Sequence, residues 1–80
     1  MIDTTTQRPL RVSKDGDAGP YIMVPVAQIE QVRSILDAKG IPHWVDAEAI
    51  SLDGKPAISV INLGRSVNVN RVQELLDNQH

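Results

Sequence analysis

Cysteine is absent from the 80 residues of the chain, so neither a disulfide framework nor a thiolate metal site can hold the fold, and the composition agrees with a cytoplasmic setting. Aromatics are nearly absent too: one Trp, one Tyr and no Phe. A core must then be filled by Val, Ile and Leu, which are individually smaller and need close interdigitation, so a dimer interface would help it. There is also no basic stripe. The eight Lys and Arg residues are scattered and the formal net charge is −2, which disfavours binding driven by phosphate neutralisation and hence nucleic acid as a partner. Nowhere do about 18 apolar residues run together, and Met1 to Pro9 lack the apolar stretch of a signal peptide. No membrane partner is expected. No Gly-rich phosphate loop, nucleophile elbow or His-Glu-x-x-His helix occurs, so catalysis and a bound cofactor are not expected either.

What is present reads as one small domain, because a chain of this length cannot support two independent cores. Residues 1–9, with Thr4-Thr5-Thr6 and no periodicity, read as a flexible lead-in, and residues 10–80 as a single α/β sandwich domain. Leu10 to Lys14 alternates apolar with polar and predicts a short strand. A loop follows over Asp15-Gly16-Asp17-Ala18-Gly19-Pro20. Its Asp-Gly-Asp start lacks the later oxygen ligands and closing Glu of a calcium loop. Tyr21 to Val24 is a compact apolar run ended by Pro25, and predicts a second strand paired with the first.

From Val26 the period changes. Ile29, Val32, Ile35 and Leu36 recur at helical spacing, with Gln28, Glu30, Gln31, Arg33, Asp37 and Lys39 on the other side. Gly40 and Pro42 mark the stop, whereas the start has no capping residue. Ile41 to Asp46 reads as a strand. Ala49 to Leu52, the turn Asp53-Gly54-Lys55-Pro56 and Ala57 to Leu63 read as a hairpin. A second helix begins near Asn68 and buries Val69, Val72, Leu75 and Leu76.

The expected order is ββαββα, an antiparallel-rich four-stranded sheet with two helices on one face. This points to an α+β, ferredoxin-like two-layer sandwich. The strand that would close the usual βαββαβ order after the second helix is missing, and Leu10 to Lys14 can substitute for it, giving a permuted version.

Gln28-Ile29-Glu30-Gln31-Val32, Ile35-Leu36 and Lys39-Gly40-Ile41-Pro42, where a helix ends in Gly-Ile and feeds a strand, carry a family resemblance. Over Tyr21 to Leu63 the chain resembles small bacterial signal-transducing domains with a PII-like (GlnB-like), ferredoxin-like fold. The resemblance implies a fold and a regulatory role in signal transduction, and no chemistry. The wider PII-like proteins bind nucleotides through a long loop between the middle strands. Here that segment, Asp46 to Pro56, is short, and no nucleotide site carries over.

Strand parity supplies the main site expectation. If Ile22, Val24, Ile41, Val45, Ile58 and Val60 face the helices, then Tyr21, Met23, Trp44, Ser59 and Ile61 lie on the opposite face. No helix covers that face in a two-layer sandwich, and a cluster of Tyr21, Met23, Trp44 and Ile61 there marks a contact surface. The competing readings are a parity shifted by one residue, or an N-terminal segment folded over the face. Aromatics on adjacent strands also suit base stacking. Asp46 and Glu48 beside Trp44, in place of Lys and Arg, argue against it.

His43, Asp46, Glu48 and Asp53 fall in one hairpin but match no metal-ligand spacing, so no metal is expected. By parity His43 points to the helix layer as a hydrogen-bonded structural histidine. Gly64, Arg65, Ser66 and Asn68 form a second candidate, since a strand-to-helix loop with an Arg can hold an anion on free N–H groups. Its plainer reading is a connector with Asn68 capping its own helix. The expected function is a non-catalytic regulatory or protein-interaction module that self-associates or docks a protein partner on the open sheet face. The alternative is a sensor for a small anionic metabolite or nucleotide.

Overall fold

Alternation in the strands and a 3.6-residue period in the helices give each element one apolar side. The computed structural model describes residues 1–14, 19–46, 49, 51, 54 and 57–78. Strands β1 (Val12–Ser13) and β2 (Tyr21–Pro25) lead through a 3₁₀ turn, Val26–Gln28, into helix α1 (Ile29–Ala38). Strands β3 (His43–Val45) and β4 (Ile58–Leu63) and helix α2 (Val69–Asp77) follow. The sheet order is β1-β2-β4-β3, and all three pairings are antiparallel. β2 and β3 therefore run in the same direction on either side of β4.

One side of this sheet carries the core. Ile22 and Val24 of β2 and Ile61 and Leu63 of β4 pack with Leu10, with Val32 and Leu36 of α1, and with Val72 and Leu76 of α2. Both helices thus lie on the same face. Leu63 N–H also donates to the Pro20 carbonyl at 2.8 Å, bringing the chain so close that a Cβ on Gly19 would stand 2.9 Å from the Leu63 oxygen. Only glycine fits that approach.

The end of α1 explains why β3 is shorter than the strand expected over Ile41 to Asp46. Gly40 sits at φ +66. Its N–H bonds the Asp37 carbonyl at 3.1 Å, and Ile41 N–H bonds the Leu36 carbonyl at 2.9 Å. These two bonds are a Schellman closure of the helix. Ile41 N–H is thereby committed to the helix and Pro42 has none to give, so pairing starts at His43. At the other end the helix expected from Val26 opens as a 3₁₀ turn, with Pro25 extended at φ −56 and ψ 138 and no side-chain cap. α2 starts as expected, with the Asn68 side chain accepting from Arg71 N–H at 3.1 Å.

Residues 1–9 form a small hairpin against the domain. Ile2 and Pro9 form an antiparallel bridge. The turn between them is built on Asp3, whose Oδ1 accepts from Thr5 N–H at 2.7 Å, Thr5 Oγ1 at 2.6 Å and Thr6 N–H at 3.2 Å. Such a carboxylate nucleates a turn by bonding the backbone just ahead of it. Gln28 ties this hairpin to the start of α1. It is only 6% exposed, its Oε1 accepts from Thr4 N–H at 3.0 Å, and its Nε2 donates to the Ile2 carbonyl at 2.8 Å. Gln73 of α2 holds the next stretch, accepting from Val12 N–H at 2.9 Å and donating to the Leu10 carbonyl at 3.0 Å. The Met1 amino group donates to the Leu76 carbonyl. All these anchors are on the helix side of the sheet.

Of the loop expected over Asp15 to Pro20, Asp15 to Ala18 lie outside the described residues, as do Ile50, Leu52, Asp53, Lys55 and Pro56 of the expected hairpin. Gly54 from that turn has φ +74, and Ala49 and Ser51 are not in a strand. The observed partner of β4 on this side is β3.

Candidate functional site: the outer sheet face

Because paired residues in an antiparallel sheet share a face, the register assigns the outer side directly. Ser13 pairs with Tyr21, Tyr21 with Asn62, and Asn62 with Trp44, which makes one row across all four strands. Neighbouring strands stand about 4.8 Å apart, so the two aromatics flank Asn62 at roughly 10 Å from each other. Met23 pairs with Val60 in the next row. Asp46 N–H donates to the Val60 carbonyl at 2.9 Å, extending that row beyond β3. The Asp46 carboxylate accepts from the Asn62 amide at 2.7 Å, linking the rows.

Tyr21, Met23 and Trp44 are thus brought together on the outer face as the sequence suggests. Met23 is 50% exposed and Trp44 57%. Ile61 is a correction. It is 0% exposed, pairs with Ile22 and belongs to the core, so the parity of β4 is the reverse of the expected one. Ile58 and Val60 share the outer side with Asn62, while Ser59, Ile61 and Leu63 face the helices.

The reason lies in the composition of the strand. Ile58-Ser59-Val60-Ile61-Asn62-Leu63 is apolar at positions of both parities, so alternation alone does not choose. Polar residues do: burying Ser59, Ile61 and Leu63 hides one small hydroxyl, whereas burying Ile58, Val60 and Asn62 would hide a whole amide. The Ser59 hydroxyl reaches the Asp46 carbonyl at 3.5 Å, and Asn62 keeps its amide on the wet side. Val60 and Asn62 are the face residues that a parity count misses and this comparison finds.

The other candidates lie apart from this face. His43 faces the helix layer with its side chain 7% exposed, Nε2 lying 3.6 Å from the Asp37 carboxylate and Nδ1 2.9 Å from the Ile41 carbonyl. It shares no cluster with Asp46, which is on the opposite face, and Glu48 and Asp53 lie outside the described residues. Among the described residues no three His, Asp or Glu side chains converge as metal ligands. Gly64, Arg65, Ser66 and Val67 form a turn closed by Val67 N–H to the Gly64 carbonyl at 3.0 Å. Asn68 spends its side-chain oxygen on its own helix, the ordinary use of a residue at this place.

Two concavities border these elements. A groove of about 760 Å³ separates the N-terminal hairpin from α1, lined by Met1, Ile2, Pro9 and Ile35 among others. A smaller hollow of about 410 Å³ is bounded by Arg33, His43, Trp44 and Val45 at the β3 edge. Among the described residues no helix is long and apolar enough to cross a membrane. Protein-family models, characterised proteins and solved structures give no match to this chain.

Proposed function

We infer that the protein is a cytoplasmic, non-catalytic interaction module that works by self-association or by docking a protein partner on the outer face of its sheet. The observation that carries this reading is the exposure of Met23 and Trp44 on one face with Tyr21 and Val60. The hydrogen bonds that anchor the N-terminal hairpin lead to the opposite, helix side of the sheet. Exposed Met and Trp side chains beside a partly buried Tyr and Val mark contact surfaces more than bare solvent. The regulatory part of the reading rests on the resemblance to PII-like signal-transducing domains, and the cytoplasmic setting on the cysteine-free composition.

The architecture is read as a permuted ferredoxin-like sandwich. Three features support it: β1 lies antiparallel beside β2, β2 and β3 flank β4 in one direction, and both helices share one core. β1 then takes the place of the strand that would follow α2.

The test is site-specific photo-crosslinking in the native cell. A photoreactive residue at Trp44 is expected to give adducts of discrete mass, twice the chain for self-association or larger for a partner. The same residue at Asn70, exposed on α2, is expected to give none. Equal yields at both positions, or no adduct from position 44, would overturn the reading.

A further inference from the structure

The outer face carries a charge and size pattern that is complementary to itself. Arg11 precedes β1 and lies between two residues on the core side, Leu10 and Val12, so alternation turns it to the outer face at the position beside Met23. It is exposed. Extending the pairings outward gives two rows across the sheet: Ser13, Tyr21, Asn62, Trp44 and then Arg11, Met23, Val60, Asp46. Each row ends in opposites, small Ser13 against large Trp44 and cationic Arg11 against anionic Asp46.

Consider a two-fold axis lying between two such faces, parallel to the strands and midway between β2 and β4. It preserves each row and exchanges its ends, the self-complementary arrangement that an isologous dimer requires. Trp44 of one copy then lies over Ser13 of the other, Tyr21 over Asn62, Met23 over Val60, and Arg11 over Asp46, each contact occurring twice. An axis perpendicular to the strands and midway between the rows would instead set Trp44 over Asp46 and Arg11 over Ser13, leaving each charge without a counter-charge.

Resting on the reading of this face as a contact surface, we propose that its occupant is a second copy of the chain, paired about the strand-parallel two-fold with reciprocal Arg11–Asp46 contacts at the rim. Four strands at about 4.8 Å spacing make a small patch, at the low end of specific interfaces, so the dimer dissociates in the micromolar range. Rim charges set partner choice and register more than raw affinity.

Charge exchange tests this in sedimentation equilibrium of the full chain. Arg11→Asp and Asp46→Arg each create two like-charge contacts per homodimer and are expected to weaken it on the order of tenfold or more. Mixed together, the two variants restore both opposite-charge contacts, so an equimolar mixture is expected to form a heterodimer of wild-type affinity. The variants are checked for wild-type circular dichroism, and because both are present in the mixture, restored pairing excludes misfolding as the cause of the single defects. A dimer indifferent to these charges, or a mixture that stays dissociated, overturns the proposed geometry. A wild-type monomer throughout the micromolar range overturns self-pairing itself. It leaves the contact-surface reading to the Trp44 crosslinks, where a heterologous adduct mass would sustain it.

Discussion

Replacing Ile61 and Val60 separately by alanine measures the orientation of β4 directly, since the two side chains are adjacent in sequence and opposite in facing. Ile61→Ala removes three carbons from a position with 0% exposure. At about 0.8 kcal/mol for each buried methylene this is roughly 2.4 kcal/mol of lost transfer energy. The cavity that remains in the cluster Ile61 shares with Ile22, Leu36 and Leu76 brings the expected loss to about 3–4 kcal/mol. Val60→Ala removes two carbons from a partly buried site on the outer face, an expected loss of about 0.5–1 kcal/mol. For an 80-residue domain, total stability is roughly 4–12 kcal/mol, so the first change consumes a quarter or more of it.

Urea denaturation followed by the emission of Trp44, the one indole in the chain, resolves the difference. The midpoint for Ile61→Ala should fall steeply at unchanged slope, with a melting temperature lowered by roughly 12–30 °C, while Val60→Ala should shift by less than about 8 °C. Equal losses, or a larger loss for Val60→Ala, would mean that β4 presents the other face to the helices. Arg11, Met23, Val60 and Asp46 would then no longer form a row.

Gln28→Leu keeps the bulk of a buried side chain and removes its polar end, leaving the Ile2 carbonyl and Thr4 N–H without their bonds of 2.8 and 3.0 Å. A loss of about 2 kcal/mol is expected, with faster amide exchange at Asp3, Gln7 and Leu10, whose N–H groups close the N-terminal hairpin. Unchanged exchange at these three amides would show that the hairpin holds without Gln28. Asn68→Ala is expected to cost about 1 kcal/mol through loss of the bond to Arg71 N–H, and Asn68→Ser to recover most of it. If Ser recovers nothing in thermal melts, capping is not the role of this position.

The parts of the fold legible in the sequence are those fixed by local chemistry. α1 is announced by Ile29, Val32, Ile35 and Leu36, and its end by Gly40, because positive φ at one residue and a 3.6-residue period are properties of a short window. Asn68 is legible for the same reason. What depends on distant partners is not. Gln28 looks like a surface residue in a polar helix start, since its burial comes from Thr4 and Ile2, 24 and 26 positions away. The 3₁₀ turn before α1 leaves no periodic trace over three residues. On the outer face, Tyr21, Met23 and Trp44 were accessible to a parity count because setting the aliphatic Ile22, Val24 and Val45 toward the helices leaves these three together outside. Ile61 was not, because β4 is apolar on both sides and its orientation is decided by pairing with Ile22 and by the cost of burying Asn62.

The division of side chains between the two faces is itself an argument about function. Aromatic rings are the most economical way for a small domain to bury apolar area, and this chain has only two, Tyr21 and Trp44. Neither is in the core, whose buried cluster among the described residues is made of Leu, Ile and Val. The N-terminal hairpin, which has Met1 and Ile2 to spend as cover, is bonded to Gln28 and Leu76 on the helix side, so it adds cover to the aliphatic layer that the helices already shield. A domain selected for its own stability would exchange these placements, moving a ring inward and the hairpin outward. Holding both rings at the sheet surface beside Met23 and Val60 sacrifices core area, and that sacrifice is balanced when the outer face is buried in turn. On the proposed pairing, burial of the outer face would add to the stability of a small domain whose core is aliphatic.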